Sequence, residues 1–162
     1  MMTPDYIKNS LDVFPMEFLN IKLLHYTVYG EDVFSDLDID PSDLRQQCER
    51  EIKAKLIGMR QGYISSMGEP KPLTDGFVRS ISGYISLFRG IILLLKKEPP
   101  LLNSGVLSML EQTSGVDMKV FRLMLEGKKQ KAKLSKEHLN ILFEASYRTM
   151  EKLGELVNGL SI

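Results

Sequence analysis

The chain has no tryptophan, one cysteine and two histidines among its 162 residues. A single Cys48 cannot form an internal disulfide, and His25 and His138 are too isolated in sequence for a zinc site. Neither charge sign prevails, because 21 Lys and Arg balance 21 Asp and Glu. A net charge of zero argues against a field that would draw the protein onto nucleic acid or an anionic membrane. These features predict a chain that holds no metal and binds no nucleic acid.

Long hydrophobic runs are also missing. The longest candidate, residues 81–95, is interrupted by Ser82, Gly83, Ser86, Arg89 and Gly90, and a membrane span needs about 20 apolar residues. The run therefore predicts a core helix. The chain opens without a basic, apolar secretory leader, and with one cysteine this indicates a cytoplasmic protein that does not enter a membrane.

The remaining pattern is helical. Asp40 followed by Pro41 is a strong start signal for a helix. From there apolar residues recur at spacings of three and four through Leu44, Cys48, Ile52, Leu56, Met59, Tyr63 and Met67. Equivalent stripes predict long helices over 41–67, 73–97 and 136–158. The second of these also carries small residues, including Gly83 and Gly90, on a face that a neighbouring helix could approach closely.

Two shorter helices are predicted over 104–112 and 117–126, separated by Gly115. Five helices with short connections predict an all-α fold, an antiparallel bundle of about five helices. Its domain would comprise residues 41–162. Residues 1–40 do not fit this pattern, because Phe14, Met16 and Phe18 alternate with other residues as they would in a strand. We therefore expect a short extended N-terminal segment whose partner strand lies elsewhere.

The sequence of this segment and of parts of the following helices resembles a known family. Residues 13–22 (VFPMEFLNIK), the turn Tyr29-Gly30-Glu31-Asp32, Leu44-Arg45 with Gln47-Cys48-Glu49, and residues 79–100 are similar to bacterial nucleotidyltransferase-like proteins of the DNA polymerase β superfamily. The resemblance implies that residues 1–40 are the exit segment and linker from a missing catalytic domain. It also implies that the bundle is a helical, substrate-binding-like domain, and that Mg²⁺ and a nucleoside triphosphate bind to the missing domain rather than to this chain.

Carboxylates give two candidate sites. The resemblance implies that Glu17 lies on the last strand of the missing sheet, near the third acidic residue of the superfamily; it could equally face solvent on an edge strand. Asp36 and Asp38 imitate the paired carboxylates of a two-metal site. However, Pro41 stops any strand and Glu31 would repel a phosphate, so a capped linker is favoured and no catalytic residue is assigned.

A polar sector of the central helix is the candidate substrate site. Arg79, Ser82, Ser86 and Arg89 fall within about 80° of the helix circumference. Two guanidinium groups beside two hydroxyls suit a phosphate or carboxylate. The same pattern also describes the solvated side of an amphipathic helix. If a ligand binds, we expect Arg79 and Arg89 to line a concave surface between this helix and the last one.

The sequence thus favours a non-catalytic helical domain that shapes the acceptor-substrate pocket of a nucleotidyltransferase, with the catalytic domain in the same polypeptide or in another. The alternative is a stand-alone helical interaction or dimerisation module. Either way, the apolar segment 13–21 predicts a homodimer when no sheet covers it.

Overall fold

The computed structural model describes residues 3–67, 69–130 and 136–161, with side chains for all of these except 70–75, 77–79, 128–130 and 136. The described residues form seven helices: α1 (Pro4–Lys8), α2 (Pro15–Leu24), α3 (Pro41–Ser65), α4 (Pro70–Leu94), α5 (Asn103–Ser114), α6 (Lys119–Gln130) and α7 (Lys136–Asn158). These residues contain no strand, so the all-α class and the three long helices are confirmed. Within the described ranges, no helix has both the length and the apolar character needed to cross a membrane.

The strand predicted around Phe14 to Phe18 is wrong, because residues 15–24 form α2. Pro15 occupies the first turn, where its missing amide proton costs nothing. The amide of Met16, which no helical carbonyl can satisfy, donates to the Gln47 Oε1 atom at 2.7 Å. Met16, Phe18 and Leu19 are buried. A side chain 31 residues away in sequence therefore stabilises the start of this helix. The local alternation of apolar residues could not reveal such a distant contact.

Helix α3 begins as its sequence predicts. The Asp40 side chain accepts the amide of Ser42 at 2.7 Å, and Pro41 follows at the first helical position. Leu44, Cys48 and Ile52 are buried along the predicted stripe. The predicted stripe extends past the end of the helix at Ser65, and Met67, two residues later, is exposed and has a positive φ of 49°.

Helices α3 and α4 are antiparallel and very close. A Cβ added at Gly90 would lie 2.9 Å from the Cys48 Sγ atom, near the start of α3, while one at Gly83 would meet the Lys55 Nζ atom further along. The predicted close approach is confirmed at Gly90, whereas the atom facing Gly83 is the end of the long Lys55 side chain. Beyond this contact, the ring of Phe121 from α6 lies 4.9 Å from that of Phe88 and 5.1 Å from that of Tyr84.

Helix α7 completes a three-helix bundle with α3 and α4. The Tyr63 hydroxyl donates to the Asn140 Oδ1 atom at 3.1 Å, and Gly154 lies against Ile52, so α7 is antiparallel to α3. Helices α5 and α6 pack on α4, and α2 crosses α3 and α4. Met16 and Leu19 of α2 belong to the same core as the bundle. The sequence predicted a domain boundary at residue 40, with residues 1–40 derived from a missing catalytic domain. That origin remains a prediction.

Candidate functional site

Glu17 lies in the first turn of α2 rather than on a strand. It is exposed, and its Oε2 atom accepts the Gln47 side-chain amide at 2.6 Å. Gln47 thereby bridges the backbone of Met16 and the carboxylate of Glu17. Glu17 thus belongs to the capping of α2. Its role as a carboxylate of another domain stays a prediction.

Asp36 and Asp38 lie in the connection between α2 and α3, which has no strand. Both are exposed, as a solvated linker requires. Among the residues that the structure describes, no three His, Cys, Asp or Glu side chains are grouped so that they could hold a metal ion.

Arg89 is buried, with 4% of its surface exposed. Its guanidinium donates to the carbonyl oxygens of Pro100 at 3.3 Å and Leu101 at 2.8 Å. It also donates to the side-chain oxygens of Asn20 at 3.3 Å and Asn103 at 3.2 Å. Desolvation lowers the pKa of Arg89. These four neutral acceptors offset the burial of the guanidinium, so its position does not require an anionic ligand.

The predicted position of Arg89 is also wrong. Its side chain is directed toward α2 and the start of α5, whereas a surface shared with α7 was expected. Ser82 is exposed and Ser86 half-buried, and the Ser86 hydroxyl donates to the Ser82 carbonyl at 3.4 Å. The Arg79 side chain lies outside the described residues. A substrate-binding role for the four residues remains a prediction.

A cleft that the sequence did not reveal lies between the end of α2, residues 35–39, the end of α4 and residues 96–101. Its first lobe has a volume of about 480 Å³, and the adjoining second lobe one of about 750 Å³. Apolar side chains form much of the first lobe: Leu19, Leu23, Leu37, Ile39, Leu93 and Pro99. We call this feature the α2–α4 cleft.

Charged residues also line the α2–α4 cleft. Lys22, Lys96 and Lys97 are accompanied by Asp38 and Glu98. The Lys22 Nζ atom donates to the Leu37 carbonyl at 2.7 Å, which anchors the linker over α2. Lys96 and Lys97 are exposed and form no ion pair among the described residues. Positive charge therefore exceeds negative charge at the mouth of the cleft.

His25 links the second lobe to the N-terminal loop. Its Nδ1 atom lies 3.0 Å from the carbonyl oxygens of Ile21 and Lys22, and its Nε2 atom 2.8 Å from the Asp32 Oδ1 atom. Carbonyls and carboxylates only accept hydrogen bonds, so this geometry suits a doubly protonated ring. Partial desolvation lowers the pKa of His25, but the bonds to Asp32 and to the two carbonyls raise it overall.

Residues 26–30, which follow His25, form an exposed stretch without helix or strand that we call the Tyr26–Gly30 segment. Tyr26 and Val28 are each 87% exposed and Tyr29 is 98% exposed. Gly30 ends the segment with a φ of 88°, a conformation that glycine adopts without strain. The extended N-terminal segment that the sequence predicted around residues 14–18 is helix α2 instead, and residues 26–30 contain neither helix nor strand.

Cys48 is not a reactive group. Its thiol is buried between α3 and α4, and desolvation, helped by the charge of Glu51, raises its pKa to about 12. A thiol is nucleophilic only as the thiolate. The structure therefore places Cys48 in the core, as its position on the α3 stripe predicted.

Comparisons with protein-family models, with curated proteins and with solved structures give no match for this chain. The similarity to nucleotidyltransferase-like proteins thus rests on the residues quoted above and remains a hypothesis.

Proposed function

We propose that this chain is a non-catalytic helical domain that docks onto a nucleotidyltransferase catalytic domain and shapes the pocket for its acceptor substrate. The observation that supports the proposal best is the Tyr26–Gly30 segment. Two tyrosines and a valine within four residues of chain are almost fully exposed, although such side chains are ordinarily covered. Tyrosine is enriched where interfaces derive most of their binding energy, because its ring is apolar and its hydroxyl tolerates water.

The position of the segment also supports a shared pocket. The segment directly follows His25, and His25 lines the second lobe of the α2–α4 cleft. A domain bound to Tyr26 and Tyr29 would therefore lie beside the cleft and could form its missing wall. On this proposal the catalytic domain, in the same polypeptide or in another, holds Mg²⁺ and the nucleoside triphosphate.

The test uses the catalytic domain encoded with this chain, identified in the complete gene or its neighbour by a Gly-Ser pair followed by Asp-x-Asp. Sedimentation of the mixed domains should show a complex that Tyr26→Ser with Tyr29→Ser weakens. Ile64→Ser is the matched control, because Ile64 is also an exposed apolar residue but lies on α3. Equal binding by the double variant and by the control would contradict the proposed docking site.

A second function, a stand-alone dimerisation module, is favoured by a different surface. Ile57 and Ile64 of α3 are both exposed, at 55% and 74%, and lie seven residues apart on one helix face. Such a face can pair with a second copy. Sedimentation should then show a dimer at micromolar concentration that Ile57→Ser with Ile64→Ser disrupts. A monomer of the unaltered chain at these concentrations would eliminate this function.

A further inference from the structure

We propose that the α2–α4 cleft binds an aliphatic monocarboxylate, with its hydrocarbon chain against the apolar wall and its carboxylate beside Lys96 and Lys97. The inference deepens the proposed function, since the role of this ligand as an acceptor rests on that function. Binding itself is a property of this chain alone, so it can be tested without a catalytic domain.

The walls suit a hydrocarbon chain. Leu23, Leu37, Ile39 and Leu93 are only half-buried and line the first lobe, so that each leaves apolar surface uncovered there. Burying such surface is the main favourable contribution to binding an apolar ligand. Both lobes, at about 480 and 750 Å³, lie within the usual size of small-molecule sites, which is roughly 300 to 1,000 Å³.

The charges select an anion. Lys22 is committed to the Leu37 carbonyl, whereas Lys96 and Lys97 remain exposed at the mouth. Asp38 and Glu98 balance these two lysines, so the excess of one positive charge comes from Lys22, whose ammonium group keeps its charge when it donates to a carbonyl. The excess is therefore small, which fits one carboxylate better than a ligand of several negative charges.

Helix orientation argues against a phosphate. Anions of high charge are usually bound at helix N-termini, where free amides and the helix dipole favour negative charge. The α2–α4 cleft instead adjoins the C-terminal ends of two helices, at Leu24 and Leu94. These ends carry partial negative charge. This negative potential weakens the binding of a monoanion less than that of a dianion. A monoanion with a large apolar part also gains binding energy from the apolar wall, whereas a dianion depends on charge alone.

The backbone at Lys96 is a second, independent observation. Lys96 has a φ of 58°, a left-handed conformation that favours glycine. Its amide donates to the Leu93 carbonyl at 2.8 Å, and that of Lys97 to the Ile92 carbonyl at 3.2 Å, which closes the end of α4. Glycine would close the helix with less strain. Lysine at this position places a positive charge beside the cleft at the expense of backbone strain, as residues at binding sites often do.

The experiment titrates sodium octanoate into the full chain and follows backbone amide resonances. We expect shifts at residues that line the cleft, including Leu23, Ile39 and Leu93. Lys96→Gly combined with Lys97→Gln should weaken binding by about tenfold, given the usual strength of exposed charge pairs. Lys53→Gln is the matched control, because Lys53 is an exposed lysine on α3 outside the cleft, and it should bind as tightly as the unaltered chain.

Two further ligands test the contributions of the hydrocarbon chain and of the negative charge separately. 1-Octanol should bind more weakly than octanoate, because it lacks the charge, and inorganic phosphate should not bind in the cleft. Equal binding of octanol, stronger binding of phosphate, or the absence of shifts at the lining residues with octanoate would each overturn the proposal. So would equal affinity of the lysine double variant and Lys53→Gln.

Discussion

The Nε2 atom of His25 lies 2.8 Å from the Oδ1 atom of Asp32, and this pair joins the end of α2 to the loop that follows the Tyr26–Gly30 segment. Asp32 also accepts the amides of Phe34 at 3.0 Å and Ser35 at 3.1 Å. The Phe34 ring packs on the edge of the His25 ring, at 5.4 Å. One ion pair thus closes a loop that contains the most exposed aromatic residues of the described chain.

Closure of this loop should depend on pH. The pKa of His25 is raised above its usual 6.5, so its contribution is complete below 6.5 and is lost as pH rises through the raised value. The pKa of Asp32 is lowered from its usual 3.8, first by the Phe34 amide, against some desolvation, and further by His25 and Ser35. Its contribution is complete above 3.8 and is lost as pH falls through the lowered value.

The loop should therefore be most ordered between about pH 4 and 6.5. Titration of the His25 ring resonances checks this, together with the exchange protection of the Phe34 and Ser35 amides. Asp32→Asn should lower the pKa of His25 and reduce that protection. If His25 titrates identically in the Asp32→Asn variant, the ion pair does not form in solution.

Removal of the Arg89 guanidinium should destabilise the fold. Arg89→Met keeps an apolar side chain of comparable length but removes the donor that the carbonyls of Pro100 and Leu101 share. Acceptors left without partners cost about 1 to 3 kcal/mol each when they are shielded from water, and water can reach the exposed Leu101, so we expect a loss of about 2 kcal/mol in urea unfolding.

Arg148→Met is the control for this change. Arg148 is exposed and pairs only with Glu144, four residues away on α7, at 2.8 Å. Such pairs contribute about 0.3 to 0.5 kcal/mol. A loss at Arg89 no larger than that at Arg148 would show that the buried hydrogen bonds do not hold α2, α4 and α5 together.

Gly90 should not tolerate a methyl group. Gly90→Ala places a Cβ atom 2.9 Å from the Cys48 Sγ atom, so α3 and α4 must separate slightly, at a cost of about 1 to 3 kcal/mol. Gly76→Ala provides the comparison on the same helix, because no atom lies within 4 Å of the added Cβ. There alanine should stabilise by up to about 1 kcal/mol. Thermal unfolding of both variants should therefore give shifts of opposite sign.

Glycine at position 96 should stabilise the chain. Lys96→Gly keeps the two hydrogen bonds that close α4 and relieves a left-handed conformation that costs a residue with a Cβ about 1 kcal/mol. Chemical denaturation should show a gain of roughly that size. Lys97→Gly, one residue later, lacks a positive φ and should give no gain. If Lys96→Gly is instead less stable, the contacts of the lysine side chain stabilise the fold by more than the strained backbone destabilises it.

Several helices could be predicted because their signals are local. Asp40 and Pro41 cap and start α3 within three residues of chain, and the stripe from Leu44 to Met59 needs only the 3.6-residue period. Helix α2 could not be predicted in this way. Its first amide depends on Gln47, and its alternating apolar residues match a strand until α3 and α4 are present to bury them.

Arg89 also makes contacts that local sequence patterns could not predict, although the helix that carries it was predicted correctly. Its place on α4 was evident, but the sequence does not reveal that the carbonyls of Pro100 and Leu101 turn toward it. A guanidinium on a polar sector therefore suggested a ligand site, whereas the fold supplies neutral acceptors. Ser82, by contrast, is exposed on that sector, as a solvated helix face requires.

The sequence by itself determined the helical class, the start of α3 and the close approach at Gly90, because caps, apolar periodicity and small residues act within one or two turns. Only the tertiary structure decided the α2–α4 cleft and the loop that His25 closes. These combine residues from α2, the linker and the chain after α4, and Leu19 and Pro99 of the first lobe are 80 positions apart. Such separations carry no periodic signal, so packing alone brings the charges and apolar walls together.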